Sequence, residues 1–172
     1  MSIVSDIEKL KKEKNAVILA HYYVDEDVQD VADYIGDSFY LSKVATKVSQ
    51  DRIIFAGVEF MGESAKILNP KKRVFMPDMN ADCPMAHMAD KDEILALREK
   101  YDDIAVVCYI NSTAELKKYS DVCVTSSNAV KIVKNLPNKN IFFIPDRNLG
   151  SYVAKQLSLI HISEPTRLAL IS

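Results

Sequence analysis

The sequence predicts an α/β fold made of three-layer αβα units with mostly parallel sheets, and three observations lead there. Short apolar runs rich in β-branched residues recur along the whole chain, and their length and composition mark strands buried on both faces. Between them lie segments with apolar residues at helical spacing, so strand and helix alternate. The 172 residues are 48% hydrophobic and 27% charged, with four glycines and six prolines, the balance of a folded chain long enough to bury a core.

The elements follow in order. Ile7 and Leu10 share a helical face, and Ser5 with Glu8 fits a capping box, in which side chains satisfy the amide donors that the first turn leaves free. A strand over Ala16–Ala20 leads into His21-Tyr22-Tyr23. Gly36-Asp37-Ser38 marks a possible helix start before the Val44/Val48 face, and Ile53–Val58 reads as the next strand. The Ala65/Leu68 helix is followed by a strand over Arg73–Met76 and a loop from Pro77 through Asp82, Cys83 and Pro84. Ile94, Leu97 and Tyr101 mark a charged helix, and Ala105–Ile110 a strand ending near Asn111-Ser112-Thr113. Ser112 with Glu115 fits a second capping box ahead of Leu116/Tyr119. Val122–Val124 is a short strand, Thr125-Ser126-Ser127 a possible start for the Val130/Val133 helix, and Ile141–Ile144 a last strand before Pro145-Asp146-Arg147-Asn148.

The two halves resemble each other loosely, with about three strands each, and the charged stretch Asp90–Lys100 separates them. This predicts a first α/β domain over 1–95 and a partial second over 96–157. The tail, 158–172, breaks the preceding pattern and reads as the translation of a sequencing adapter, a non-native segment in which His161 has no role. A real strand-turn-helix ending is the alternative.

A net charge of -2 with both signs interspersed supplies no footprint for nucleic acid or an anionic membrane. The N-terminus lacks a basic region leading into an apolar one, and no apolar stretch approaches the roughly 18 residues of a membrane helix, so a cytoplasmic location is expected. Cys83, Cys108 and Cys123 form no CxxC pair, and disulfides are not expected in a reducing compartment.

In a parallel α/β sheet, ligands bind beyond the carboxyl ends of the strands, where loops and helix N-termini converge. Nearly all the chemically capable side chains fall at that edge. His21 is a candidate general acid or base, or a hydrogen-bonded structural residue. Tyr23 and Tyr109 could orient an anionic substrate or pack in the core. Ser38 and Ser126, at the two possible helix starts, could bind phosphate or carboxylate or serve only as caps. Cys108 and Cys123 sit inside apolar strands and read as small buried hydrophobes. Cys83, in a loop before proline, is a metal ligand, a nucleophile or an idle thiol. Walker and GxGxxG sequences are absent.

With those residues in place the chain resembles the quinolinate synthase family, as an N-terminal fragment. The matching blocks are Ile18-Leu19-Ala20-His21-Tyr22-Tyr23, Ala32-Asp33-Tyr34-Ile35-Gly36-Asp37-Ser38, Gly57-Val58-Glu59-Phe60-Met61, and Pro77-Asp78 with Asp82-Cys83-Pro84-Met85-Ala86. They continue with Tyr109-Ile110-Asn111-Ser112-Thr113, Thr125-Ser126-Ser127-Asn128-Ala129-Val130 and Pro145-Asp146-Arg147-Asn148-Leu149-Gly150, in order from about Ile3 to Gln156. The resemblance implies a transferase of de novo NAD biosynthesis that condenses iminoaspartate, supplied by L-aspartate oxidase, with dihydroxyacetone phosphate to give quinolinate. It implies three similar α/β domains, of which this chain holds one and part of a second. It further implies a [4Fe-4S] cluster with one open iron acting as Lewis acid, one cysteine ligand coming from each domain. Cys83 looks like the first ligand, Ser38, Tyr109, Asn111 and Ser126 like substrate contacts, and His21 with Tyr23 like the pair that positions substrate and assists proton transfer. Family members continue beyond Gln156 to the other two ligands, so the 172-residue chain is expected to be truncated and inactive alone. A cluster-free α/β module that binds a small phosphorylated ligand through Ser38 and Ser126 is the competing expectation.

Overall fold

The computed structural model describes residues 2–158 and the short strand Ile162–Ser163. Most of the tail read as non-native, 159–161 and 164–172 with His161, lies outside the described residues. The chain divides into two compact units, 1–83 and 84–172.

The first unit opens with helix α1 (Ile3–Glu13), followed by β1 (Ala16–His21), α2 (Glu26–Asp30), β2 (Tyr34–Gly36), α3 (Ser38–Lys47), β3 (Arg52–Ala56), α4 (Glu59–Leu68) and β4 (Arg73–Phe75). Its four strands are parallel in the order β2-β1-β3-β4. Central β1 and β3 are buried, as their unbroken apolar runs predict, with Leu19, Ile53 and Phe55 fully inaccessible. Helices α3 and α4 pack side by side. Helix α1 lies over the face that carries Ala16, Ile18 and Ile54, where an apolar groove of about 490 Å³ remains.

The second unit begins with a 3₁₀ turn over Pro84–His87 and continues with α5 (Lys91–Lys100), β5 (Ile104–Tyr109), α6 (Ala114–Lys118), β6 (Val122–Val124), α7 (Ala129–Lys134), β7 (Asn140–Ile144), α8 (Arg147–Leu157) and β8 (Ile162–Ser163). Its sheet is parallel in the order β6-β5-β7-β8. One face packs Val107, Phe143 and Val124 against Val133 of α7 and Val153 of α8. The other packs Val106, Cys108 and Phe142 against Ile94 of α5 and Leu116 of α6. Both faces are covered, which completes the αβα layering.

The loose resemblance between halves is a strict repeat. Strand β5 begins 88 residues after β1 (Ile104 against Ala16), and the same offset relates β6 to β2 (Val122 against Tyr34) and β7 to β3 (Asn140 against Arg52). The repeat extends to single hydrogen bonds. The Ile18 N–H donates to the Asp33 carboxylate at 2.8 Å, and the Val106 N–H donates to that of Asp121 at 2.7 Å.

Both expected capping boxes are displaced. Helix α1 starts a turn earlier than Ser5, and the Ser2 hydroxyl accepts the Ser5 N–H. At α6 the cap is Thr113, which accepts the Leu116 N–H, because Ser112 is fully buried with its hydroxyl 2.8 Å from the Cys108 sulfur. Cys108 is buried as expected, whereas Cys123 is exposed. The reason is that β6 is the edge of its sheet, and the equivalent Ile35 on edge strand β2 is 44% exposed as well.

Candidate functional site

At the carboxyl edge of the first sheet, His21 is the last residue of β1 and is buried, while Tyr23 two residues on is exposed. The backbone N–H of Tyr23 donates to Nδ1 of His21 at 3.2 Å. An imidazole that accepts at Nδ1 carries its neutral-state proton on Nε2, so His21 presents a donor. The His21 ring centroid lies 4.7 Å from those of Tyr22 and of Tyr23, and the two tyrosines meet edge to face at 5.0 Å.

Burial pushes the His21 pKa down, and the nearby Asp37 carboxylate partly pulls it back. The folded chain therefore disfavours the imidazolium, and its stability falls as pH drops from about 6.5 toward the lowered folded value. Asp37→Asn, which keeps a capping side chain, is expected to lower the His21 pKa further. A nuclear magnetic resonance titration that leaves it in place, or finds the unsubstituted value above 6.5, contradicts this account.

Ser38 is the first residue of α3, and the cap is Asp37, whose carboxylate accepts the Tyr40 N–H at 2.7 Å. Ser38 is thus not the cap. Its hydroxyl stands at the positive end of a helix of ten residues.

The second unit presents its own edge. Tyr109 ends β5, and the Asn111 amide donates to its phenol oxygen at 3.2 Å. Ser126 is exposed on a turn in which the Asn128 side chain accepts the Thr125 N–H at 2.7 Å and the Asn128 N–H donates to the Thr125 carbonyl. The regular helix begins only at Ala129, so the expected start at Thr125-Ser126-Ser127 lies in the preceding turn.

The 88-residue repeat joins the two sets. His21 corresponds to Tyr109, Tyr23 to Asn111 and Ser38 to Ser126, so six candidate residues occupy three positions of one duplicated framework. Individual residue types conceal this, because only the serine is the same in both copies. Spacing alone could have found it.

Cys83 is half-buried in the loop after β4. That loop is fastened to the start of α4 by the Glu59 N–H, which donates to the Ala81 carbonyl at 2.8 Å, and the Cys83 N–H donates to the Asp82 carboxylate at 2.7 Å. An iron-sulfur cluster is held by cysteine thiolates, and Cys83 fits the role of one ligand. Among the described residues no group of three or more histidine, cysteine or carboxylate side chains is placed to hold a metal ion. These residues therefore do not form a complete cluster site. No helix among them is long and apolar enough to cross a membrane.

Comparison with known proteins gives a consistent picture. Residues 5–166 match the family of quinolinate synthetase A protein. The chain is 67% identical over 151 residues to a quinolinate synthase of Fusobacterium nucleatum, covering 88% of this chain and 51% of that protein. Quinolinate synthases of Caldicellulosiruptor saccharolyticus and Clostridioides difficile are 55% and 54% identical, over 90% and 87% of this chain and 51% and 49% of theirs. The chain spans about half the length of these curated relatives.

Proposed function

Because the chain belongs to the quinolinate synthetase A protein family, we propose that the whole protein is a quinolinate synthase of the cytoplasm. It condenses iminoaspartate, supplied by L-aspartate oxidase, with dihydroxyacetone phosphate to give quinolinate, phosphate and water in de novo NAD biosynthesis. The family match over residues 5–166 carries this reading. The recurrence of donor side chains at equivalent edge positions supports the residue roles.

Both substrates are anions, one a phosphate ester and one a dicarboxylate, and the two edges offer neutral donors. Ser38 and Ser126 bind phosphate or carboxylate oxygens through their hydroxyls, Ser38 with help from the α3 dipole. The Asn111 amide and Tyr109 phenol anchor substrate oxygens as a hydrogen-bonded pair. His21 donates from Nε2 to an oxygen that gains charge or leaves, and the exposed Tyr23 closes over it. Cys83 is the one cluster ligand among the described residues, and the [4Fe-4S] cluster, when bound, supplies a Lewis-acidic iron. This chain alone is expected to be inactive.

The test is a full-length chimera in which the Fusobacterium nucleatum protein carries residues 5–156 of this chain in place of its own. Anaerobically reconstituted, it is expected to form quinolinate, and Cys83→Ser in the chimera to abolish bound iron, visible absorption and activity. A folded, iron-loaded chimera that makes no quinolinate overturns the reading. Iron content unchanged by Cys83→Ser removes Cys83 from the ligand set, whereas a folded, active-site-intact chimera that binds no iron favours a cluster-free module binding a small phosphorylated ligand.

A further inference from the structure

Cys108 on β5 and Cys123 on β6 are register partners across adjacent parallel strands, so their side chains leave the same face of the sheet. Neighbouring strands lie about 4.8 Å apart, inside the Cα separation of roughly 4.4–6.8 Å that a disulfide can span. The pair is asymmetric. Cys123 is open to solvent, whereas Cys108 is fully buried against Ser112.

The same asymmetry governs their protons. The neighbouring Cys108 thiol, together with the Lys117 ammonium, brings the Cys123 thiol down to about 7 against the opposing effect of burial. The Cys123 sulfur alongside and burial push the Cys108 thiol up. Near neutral pH the charge resides on the accessible sulfur and the proton on the buried one. Packing does not demand sulfur at either place, because the equivalent positions of the first unit are Ala20 and Ile35.

We propose that Cys123 and Cys108 form a redox-active dithiol that reacts with a low-molecular-weight disulfide, such as glutathione disulfide, and closes into a cross-strand bridge. The Cys123 thiolate attacks one sulfur of the reagent, breaking its S–S bond, and the departing thiolate takes up a proton. Cys108 then loses its proton to solvent and attacks the Cys123 sulfur, expelling the second thiolate, which is protonated in turn. Two protein thiols are oxidised by two electrons and one disulfide is reduced to two thiols. Directly opposed strand positions hold their Cβ atoms farther apart than a relaxed disulfide prefers, so the bridge is strained and easily reduced.

The experiment uses the intact, reduced chain, exposed to glutathione disulfide at neutral pH and mapped without reduction after trypsin digestion. Cleavage after Lys100, Lys117, Lys118 and Lys131 places the cysteines on separate peptides, 101–117 and 119–131. A link between these two peptides is expected, reversed by dithiothreitol. Cys108→Ala, which repeats the Ala20 of the first unit, is expected to stop at a glutathionyl adduct on Cys123. Cys123→Ser is expected to form neither adduct nor bridge at these positions. A stable adduct on Cys123 of the unsubstituted chain with no link to 101–117 overturns the proposal. So does modification of Cys108 in Cys123→Ser, or absence of any reaction at Cys123.

Discussion

His21→Ala in the full-length chimera is expected to lower kcat by on the order of 10²–10⁴-fold, the range that a positioned proton-transfer group contributes. His21 closes the buried strand β1, its Nδ1 is occupied by the Tyr23 N–H, and the remaining nitrogen of the neutral ring is a donor. Its lowered pKa keeps the ring neutral through the physiological range. Protonation at Nδ1 would expel the Tyr23 N–H that orients the ring, so an acid limb of kcat from this group should lie below about pH 6.5 and shift further down in Asp37→Asn. His21→Gln separates two modes of action, because a glutamine amide can donate a hydrogen bond but cannot transfer a proton. Recovery of most of the lost rate in His21→Gln reduces His21 to an orienting donor. Full activity of His21→Ala removes it from the chemistry.

Asp33→Ala is expected to destabilise the first unit of this chain by about 2–4 kcal/mol, and Asp121→Ala the second by somewhat less. Each aspartate stands one residue before a three-residue edge strand and extends the ladder at that point. Its own N–H donates to the carbonyl of Ile18 or Val106 at 2.9 Å, and its carboxylate accepts the N–H of that same residue. Removal of the carboxylate strands a backbone donor on a buried central strand. The difference between the two comes from the cation alongside. Lys11 lies 2.9 Å from Asp33 with its side chain 11% exposed, whereas Arg98 lies 2.8 Å from Asp121 and is 34% exposed. The less solvated cation loses more when one partner goes, although Lys11 keeps Glu8 at 2.6 Å, which holds the difference small. Urea denaturation followed by circular dichroism checks this, and midpoints unchanged in both variants dismiss the aspartates as ladder extensions. Asp→Asn, which keeps an acceptor oxygen, should cost less than Asp→Ala at both places.

Elements buried on both faces were legible because burial demands apolar residues at every position. Strands β1, β3, β5 and β7 lie within a residue or two of their expected places. The edge strand β2 is not legible in the sequence. Its three residues, Tyr34–Gly36, are covered on few sides, so little in their composition distinguishes them from a loop. Helix α8 carries Gly150, which weakens its helical signal but lets the helix approach Phe143, where an added Cβ would stand 3.3 Å from the ring. Caps were mislaid by a residue or a turn because neighbouring serines and threonines are chemically equivalent until the fold engages one of them elsewhere, as it does Ser112.

The α/β class, the placement of His21, Ser38, Cys83, Tyr109, Asn111 and Ser126 at strand ends and their turns, and the family are all written in local residue order. The fold alone brings Cys123 alongside buried Cys108 as its exposed partner, and sets the Asp33 and Asp121 carboxylates against the N–H groups of Ile18 and Val106. Those properties depend on which groups residues distant in sequence bring alongside, and on how far the helices reach across each sheet. Composition and periodicity report burial along one element, and they do not report the neighbour that the fold supplies.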